Sequence, residues 1–272
     1  RSVVVRRPSL EFQHTLAAPI SFSGVGLHTG ASVNLRILPA PAGHGIVFHR
    51  LDLENFPIEA TVKNVAHVAY ATTLMKQGVL ISTVEHLLSS LYIFGVDNAI
   101  VELDNLEVPI LDGSALEFVS EIQRVGLQEQ SASRTYLVIR KELHLEERGK
   151  TISIYPAPSF QISYSIDFPH PMIGRQTYEF DASPETFARD IAPARTFGFL
   201  HEVEELKKNG LVRGGSMNNA IVLTKTGILN DILRFKDEFV RHKILDNIGD
   251  LSLIGRPFIG RIVASKAGHA LH

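Results

Sequence analysis

The segment Asp237–Asp250, DEFVRHKILDNIGD, holds the densest set of residues able to do chemistry. His242, Asp246 and Asp250 recur every four residues, so on a helix they stand one above another on a single stripe. An imidazole and a carboxylate at that spacing can share one metal ion, although on spacing alone a solvated face with an ordinary His–Asp pair is the commoner explanation. A second segment, Ile81–Leu88 (ISTVEHLL), sets Glu85 beside His86. Neighbouring helical side chains diverge by about 100°, so one can hold a metal while the other reaches a water molecule there. The plainer reading is a capping-box glutamate next to a half-buried histidine. Joined to His242 and Asp246, His86 completes a His₂Asp set, and three protein ligands with a fourth position open mark a catalytic zinc rather than a structural one. In Lys266–Ala270 (KAGHA) the glycine lets backbone approach a site, and His269 could act as a general acid with Asp250 as its orienting carboxylate. Taken alone, a histidine after a glycine means little.

Composition limits what else these residues could be doing. With 44% apolar and 21% charged residues in 272, the chain has globular composition, enough for one large domain or two ordinary ones. It has no cysteine, which excludes disulfides, thiolate metal sites, iron–sulfur clusters and Cys nucleophiles, and leaves any metal to His and carboxylate. Lys and Arg number 27 against 29 Asp and Glu, and no basic run stands out, so neither nucleic acid nor an anionic membrane is an expected partner. No apolar run approaches the ~20 residues of a membrane-spanning helix. No secretory pattern is visible in a sequence that opens at Arg1, and the expectation is a soluble cytoplasmic protein. Gly24–Gly30 (GVGLHTG) misses the dinucleotide fingerprint because its third glycine falls one residue late. His201–Glu205 (HEVEE) puts a glutamate where a zinc protease needs its second histidine, and reads as a solvated helix face.

The elements that must position these groups follow from periodicity and punctuation. Short strands are expected at Thr15–Phe22, Ser32–Leu38, Ile46–His49 and Ile58–Val62. Ser82–Glu85 and Ser114–Glu117 each read as a capping box opening a helix, the first with the apolar stripe Val84, Leu87, Leu88 and Leu91 and a stop at Gly95. Between them lies the strand Asn98–Leu103. Gln128–Arg134 (QEQSASR) is polar and without periodicity, and reads as a linker. Beyond it come strands at Tyr136–Arg140, Thr151–Tyr155, Gln161–Ile166, Gln176–Phe180, Ala220–Leu223 and Ile259–Ala264. Helices follow Ser183-Pro184, cover His201–Asn209, and run from Asp237 to about Leu253. The reading is α+β in two domains, 1–128 and 134–272.

Assembled in order, GVGLHTG (24–30), STVEHLLSSL (82–91), VPILDGSA (108–115), ARTFGF (194–199), GLVRGGS (210–216), DEFVRHKILDNIGDL (237–251) and KAGHAL (266–271) closely resemble the UDP-3-O-acyl-N-acetylglucosamine deacetylases, zinc amidases of lipid A biosynthesis in Gram-negative bacteria. The resemblance implies that His86, His242 and Asp246 bind Zn2+, that Glu85 is the general base, and that His269 is the general acid with Asp250 beside it. It implies that the Thr196 hydroxyl stabilises the tetrahedral oxyanion and that Phe197 and Lys243 contact the sugar and its phosphates. The segment Gly215–Ala220, with Gly215, Ser216 and Ala220, matches the wall of a passage for the substrate's acyl chain. The implied fold is two domains, each a β-α-α-β sandwich, with the active site between them. The implied reaction releases acetate from UDP-3-O-(3-hydroxyacyl)-N-acetylglucosamine, a small-molecule substrate, and the implied state is a monomer. The family's sequences usually run on past the position of His272. Ferrous iron suits the same donors as zinc.

Three rivals compete with that reading. A zinc peptidase would want His-Glu-x-x-His on one helix, which is absent. A catalytically silent zinc- or sugar-nucleotide-binding homologue would have no use for Glu85 and His269. A purely structural protein explains none of the polar stripe on the 237 helix.

Overall fold

Alternation of apolar and polar residues builds the main sheet of the first half, and helices close over its apolar face. The computed structural model describes residues 11–66, 70–147 and 149–267. The chain opens with strands β1 (Phe12–Leu16), β2 (Ile20–Val25), β3 (Ser32–Pro39), β4 (Ile46–Arg50), β5 (Phe56–Glu59), β6 (Val65–Ala66), β7 (Thr73–Lys76) and β8 (Val79–Ser82). Helix α1 (Glu85–Phe94), strand β9 (Ala99–Leu103) and helix α2 (Leu116–Val125) complete this half. The five-stranded sheet runs β2-β3-β9-β4-β5, with β4 and β9 parallel and the other pairs antiparallel, and β6-β7-β8 form a small sheet of their own. Val33, Leu35 and Ile37 point inward from β3 while the residues between them face out, the pattern of a sheet covered on one side. They meet Leu87, Leu88 and Leu91 of α1 and Phe118 and Ile122 of α2 in one apolar cluster.

The second half continues with β10 (Leu127–Ser133), β11 (Leu137–Val138), β12 (Leu143–Glu147), β13 (Lys150–Tyr155), β14 (Phe160–Phe168) and β15 (Gly174–Asp181). There follow α3 (Pro184–Asp190), β16 (Phe197–Phe199), α4 (Leu200–Lys208), β17 (Ile221–Leu223), α5 (Glu238–Leu251) and β18 (Phe258–Ala267). The larger sheet runs β12-β13-β18-β14-β15, and β11 lies alongside β18. Helix α5 lies over β14 and β15, burying Phe239, Val240, Ile244, Leu245 and Ile248 against Ile162, Tyr164, Ile166 and Phe168. Ala115 and Val119 also belong to this second cluster, so α2 touches both cores. The architecture is α+β, as the sequence implies.

Several elements differ from expectation, each for a local reason. The polar stretch 128–134 is mostly strand, because β10 pairs antiparallel with β1 and Gln130 bonds Asn98 and the Ala40 carbonyl. Backbone pairing needs no apolar residues, so periodicity could not reveal it. The expected strand Thr15–Phe22 is two strands, broken around Pro19. Neither capping box forms. Ser82 ends β8 with its hydroxyl on Thr73, and Ser114 bonds Asp112, while Ser183 caps α3 ahead of Pro184 as expected and also closes a box with Thr186.

Candidate active site

Two helices from opposite halves of the chain bring the candidate groups together. On α5 the buried apolar face fixes the roll of the helix, and the stripe of His242, Asp246 and Asp250 turns toward α1. On α1, Glu85 and His86 open the first turn, anchored by Val84, Leu87, Leu88 and Leu91, each at most 2% exposed. Close approach of the helices depends on Gly249, where a Cβ would stand 2.3 Å from the Glu85 carbonyl oxygen.

His86, His242 and Asp246 converge there. The His86 and His242 Nε2 atoms lie 3.3 and 3.2 Å from the same Asp246 oxygen, Oδ1. The two rings meet edge to face at 4.9 Å. One donor atom from each residue falls within 4.8 Å of the others. His242 Nε2 and Asp246 Oδ1 are buried yet make no conventional hydrogen bond, an expensive arrangement for polar atoms unless a cation sits among them. Zinc–ligand bonds of about 2.0–2.2 Å in tetrahedral array set ligand atoms roughly 3.3–3.5 Å apart, so the donors fit such an ion. The His242 Nδ1 faces the Ala194 carbonyl at 2.9 Å, a contact that calls for the proton on Nδ1 and leaves the Nε2 lone pair available to a cation. Burial opposes ionisation of Asp246, but the two imidazoles outweigh it and hold its carboxyl well below the usual range.

Glu85 is buried against this set and does not cap its helix. Its Oε2 accepts the Thr72 backbone N–H at 3.1 Å. Burial pushes its carboxyl up to about 7, with His86 opposing and the charges of Asp246 and Asp250 adding to the rise. The Thr72 hydroxyl donates to Asp250 Oδ1 at 2.6 Å, so one residue ties Glu85 to Asp250. Burial likewise raises Asp250, the Thr72 bond opposing. Thr72 carries no sequence signal, since its partners are 13 and 178 residues away.

Basic and aromatic groups surround the mouth. The Lys243 ammonium lies 5.5 Å over the Phe197 ring, which packs on Phe239 at 4.9 Å. Lys150 and Lys266 face each other across β13 and β18. Burial and the charges of Lys243 and Lys150 bring Lys266 down to about 8, and burial also lowers Lys150. Lys150 and Lys243 therefore act on Asp250, and Lys266 adjoins both lysines; of the three, the sequence singles out Lys243 alone. Thr196 is held through its backbone, donating to the Gly113 carbonyl and accepting from Ile221, and the adjoining Arg195 is clamped by the fully buried Glu238 at 2.8 Å.

Gly215, Ser216 and Ala220 lie on a separate loop. Ser216 N–H donates to Asn219, Asn230 donates to the Ala220 carbonyl, and Lys207 donates to that of Gly215. His269 falls outside the described residues. A cavity of about 510 Å³ lies elsewhere, walled by Leu88, Leu91, Val47, Arg134 and Arg256, and none of the expected site residues lines it.

Three donor atoms placed where they could hold a metal ion, a buried glutamate whose pKa burial raises to about 7, and nearby lysines are the groups that a metal-dependent hydrolase of an anionic substrate would need. Residues 13–272 match the family model for UDP-3-O-acyl N-acetylglycosamine deacetylase (LpxC), and the chain belongs to that family. Relatives named UDP-3-O-acyl-N-acetylglucosamine deacetylase include a protein of Myxococcus xanthus, 53% identical over 98% of this chain and 85% of its own length. Another, from Solibacter usitatus, is 50% identical over 97% of this chain and 89% of its own. A third, from Thermodesulfovibrio yellowstonii, is 46% identical over 97% and 90%.

Proposed function

We propose that His86, His242 and Asp246 hold one Zn2+ ion and that Glu85 serves as general base in hydrolysis of the N-acetyl group of UDP-3-O-(3-hydroxyacyl)-N-acetylglucosamine. The products are acetate and UDP-3-O-acyl-glucosamine. Family membership makes the chain a hydrolase of lipid A biosynthesis. The observation that carries the site assignment is the convergence of three donor atoms, two of them buried without a conventional partner, beside a buried glutamate.

A bound divalent cation lowers the pKa of water and polarises the amide carbonyl. The chain's own groups do the rest. Glu85, near neutrality, takes the proton of the attacking water, and its bond to Thr72 N–H keeps the carboxylate aimed. The Thr196 hydroxyl donates to the developing oxyanion, a contribution of a few kcal/mol for one such donor. His269 protonates the departing amine, with Asp250 holding the imidazole in place. Lys243, Lys150 and Lys266 neutralise the diphosphate, and Phe197 packs on the sugar. Gly215, Ser216 and Ala220 line the acyl passage. The halves 1–128 and 134–272 are the two domains, each a β-α-α-β sandwich, and the protein acts as a cytoplasmic monomer. Among the described residues no helix is long and apolar enough to cross a membrane. Ferrous iron would suit the same three donors. A silent binding homologue is disfavoured, because Glu85 is buried at a cost that simple metal storage does not require.

Metal content separates the roles. Alanine at His86, His242 or Asp246 should abolish stoichiometric zinc in elemental analysis, whereas Glu85→Ala should retain it and lose acetate release. Full zinc in the ligand variants, or full activity in Glu85→Ala, would sink the assignment.

A further inference from the structure

Glu107 lies outside the metal centre, yet its surroundings tie it to the base. Its side chain is 1% exposed, and it takes part in none of the ion pairs of the described residues. A carboxylate is buried in this way only when donors satisfy it. Here the donors come from two directions. The Thr83 hydroxyl gives a hydrogen bond of 2.7 Å to Oε2. The backbone N–H groups of His28 and Thr29 give bonds of 3.1 and 2.9 Å to Oε1.

Each direction leads to the reaction. Thr83 stands at φ +61, a left-handed conformation that a β-branched residue holds only when its surroundings enforce it. That turn joins β8 to α1 and places Glu85 two residues later. The segment carrying Glu107 grips the same turn through its backbone, since Leu106 accepts from Ser82 N–H and Ser82 accepts from Val108 N–H. In the other direction, the loop 26–30 carries residues 213–215, where Arg213 N–H donates to the His28 carbonyl and Gly214 N–H to that of Leu27. The contact is tight, because a Cβ on Gly26 would meet Glu107 Oε1 at 2.2 Å and one on Gly214 would meet the Gly26 carbonyl at 2.2 Å.

We infer that Glu107 is a positioning residue, whose one buried carboxylate sets the Thr83 turn that aims Glu85 and the 26–30 loop that supports the acyl-passage segment. The consequence for catalysis rests on the deacetylase reading above; the clamp itself does not. Thr83 hands the effect to the chemical step, and the 26–30 loop hands it to substrate binding.

Two variants divide those effects. Thr83→Val keeps the shape and removes the hydroxyl, and should lower kcat roughly tenfold or more with KM and zinc content unchanged, while Thr83→Ser restores kcat. Glu107→Ala should lower kcat similarly, raise KM for long-chain substrate, and speed hydrogen exchange at the His28 and Thr29 amides roughly tenfold or more, leaving the middle of α1 protected. Glu107→Gln should recover most of this, since its oxygen accepts from the loop and its amide can donate to Thr83 Oγ1. Wild-type kcat, KM and exchange in folded Glu107→Ala and Thr83→Val would overturn the inference. So would a uniform loss of thermal stability, zinc and activity that Gln and Ser do not repair. If Glu107→Ala does not fold, Thr83→Val and Glu107→Gln decide. If the wild-type protein releases no acetate, the deacetylase reading fails, and the exchange measurement still decides the clamp.

Discussion

Gly249 is the position where one methyl group should separate the metal ligands. It lies on α5 against the first turn of α1, and an added Cβ would meet the Glu85 carbonyl oxygen at 2.3 Å and the Glu85 Cα at 2.8 Å. Ordinary contact begins at 3.4 Å, so the helices must part by about 1.1 Å, the difference between 3.4 and 2.3 Å. Both opposing atoms are backbone, and no side chain can rotate out of the way. His86 follows Glu85 directly, so its 3.3 Å separation from Asp246 would open toward about 4.4 Å, past the roughly 3.3–3.5 Å edge of a tetrahedral zinc site. Misplacement of about 1 Å costs on the order of 10²-fold in rate, and overpacking costs about 1–3 kcal/mol of stability. Gly249→Ala should therefore weaken zinc binding, read by competition with a chromogenic chelator, and lower kcat/KM for acetate release about 100-fold. Gly255→Ala is the matched comparison, because its φ is +76 and no atom lies within 4 Å of the added Cβ. It should lose about 1 kcal/mol to backbone strain and keep its zinc. A folded Gly249→Ala protein with wild-type zinc affinity and kcat/KM would refute the reasoning.

Three further predictions concern charge. Glu85→Gln should retain zinc and lose about 10²–10⁴-fold in kcat. In the wild type, kcat/KM should fall as pH drops through about 7 and Glu85 takes up its proton; an acid limb unchanged in Glu85→Gln would remove that assignment. UDP affinity, measured calorimetrically, should weaken as pH rises through about 8, where Lys266 loses the charge that a diphosphate needs, and Lys266→Ala should flatten that dependence. Burial works against ionisation of Asp112, but hydrogen bonds from Ser114 and the Arg234 guanidinium at 2.8 Å hold its pKa below the ordinary value. Its folded pKa thus lies under its unfolded one, so the stability it contributes is present above the ordinary carboxylate range and lost as pH falls through the depressed value. Urea melts should show Asp112→Asn less stable at neutral pH, with a smaller loss on acidification.

The α5 helix was legible because its apolar residues keep a helical period while His242, Asp246 and Asp250 keep a four-residue one, two patterns readable at once from a single segment. The capping-box motif at Ser82–Glu85 misleads because it assumes that the serine already sits at a helix start. Here Thr83 takes a left-handed turn instead, which frees the Glu85 carboxylate for the site. The strand at 127–133 was hidden because its stability comes from pairing with β1, more than 100 residues earlier, rather than from an apolar face. Thr72, Lys150 and Glu107 left no mark for the same reason. Their roles arise from contacts that only the folded chain creates, whereas His86 and His242 stand in motifs that the family resemblance brings together.

The central claim is that one zinc ion held by His86, His242 and Asp246 drives amide hydrolysis. Metal-stripped protein titrated with Zn2+, with acetate release from UDP-3-O-(3-hydroxyacyl)-N-acetylglucosamine followed at each addition, tests it most directly. The account predicts activity rising linearly to a break near one zinc per chain and no such rise in His242→Ala. Full acetate release from the stripped protein, or zinc uptake at one per chain with no acetate released, would contradict it.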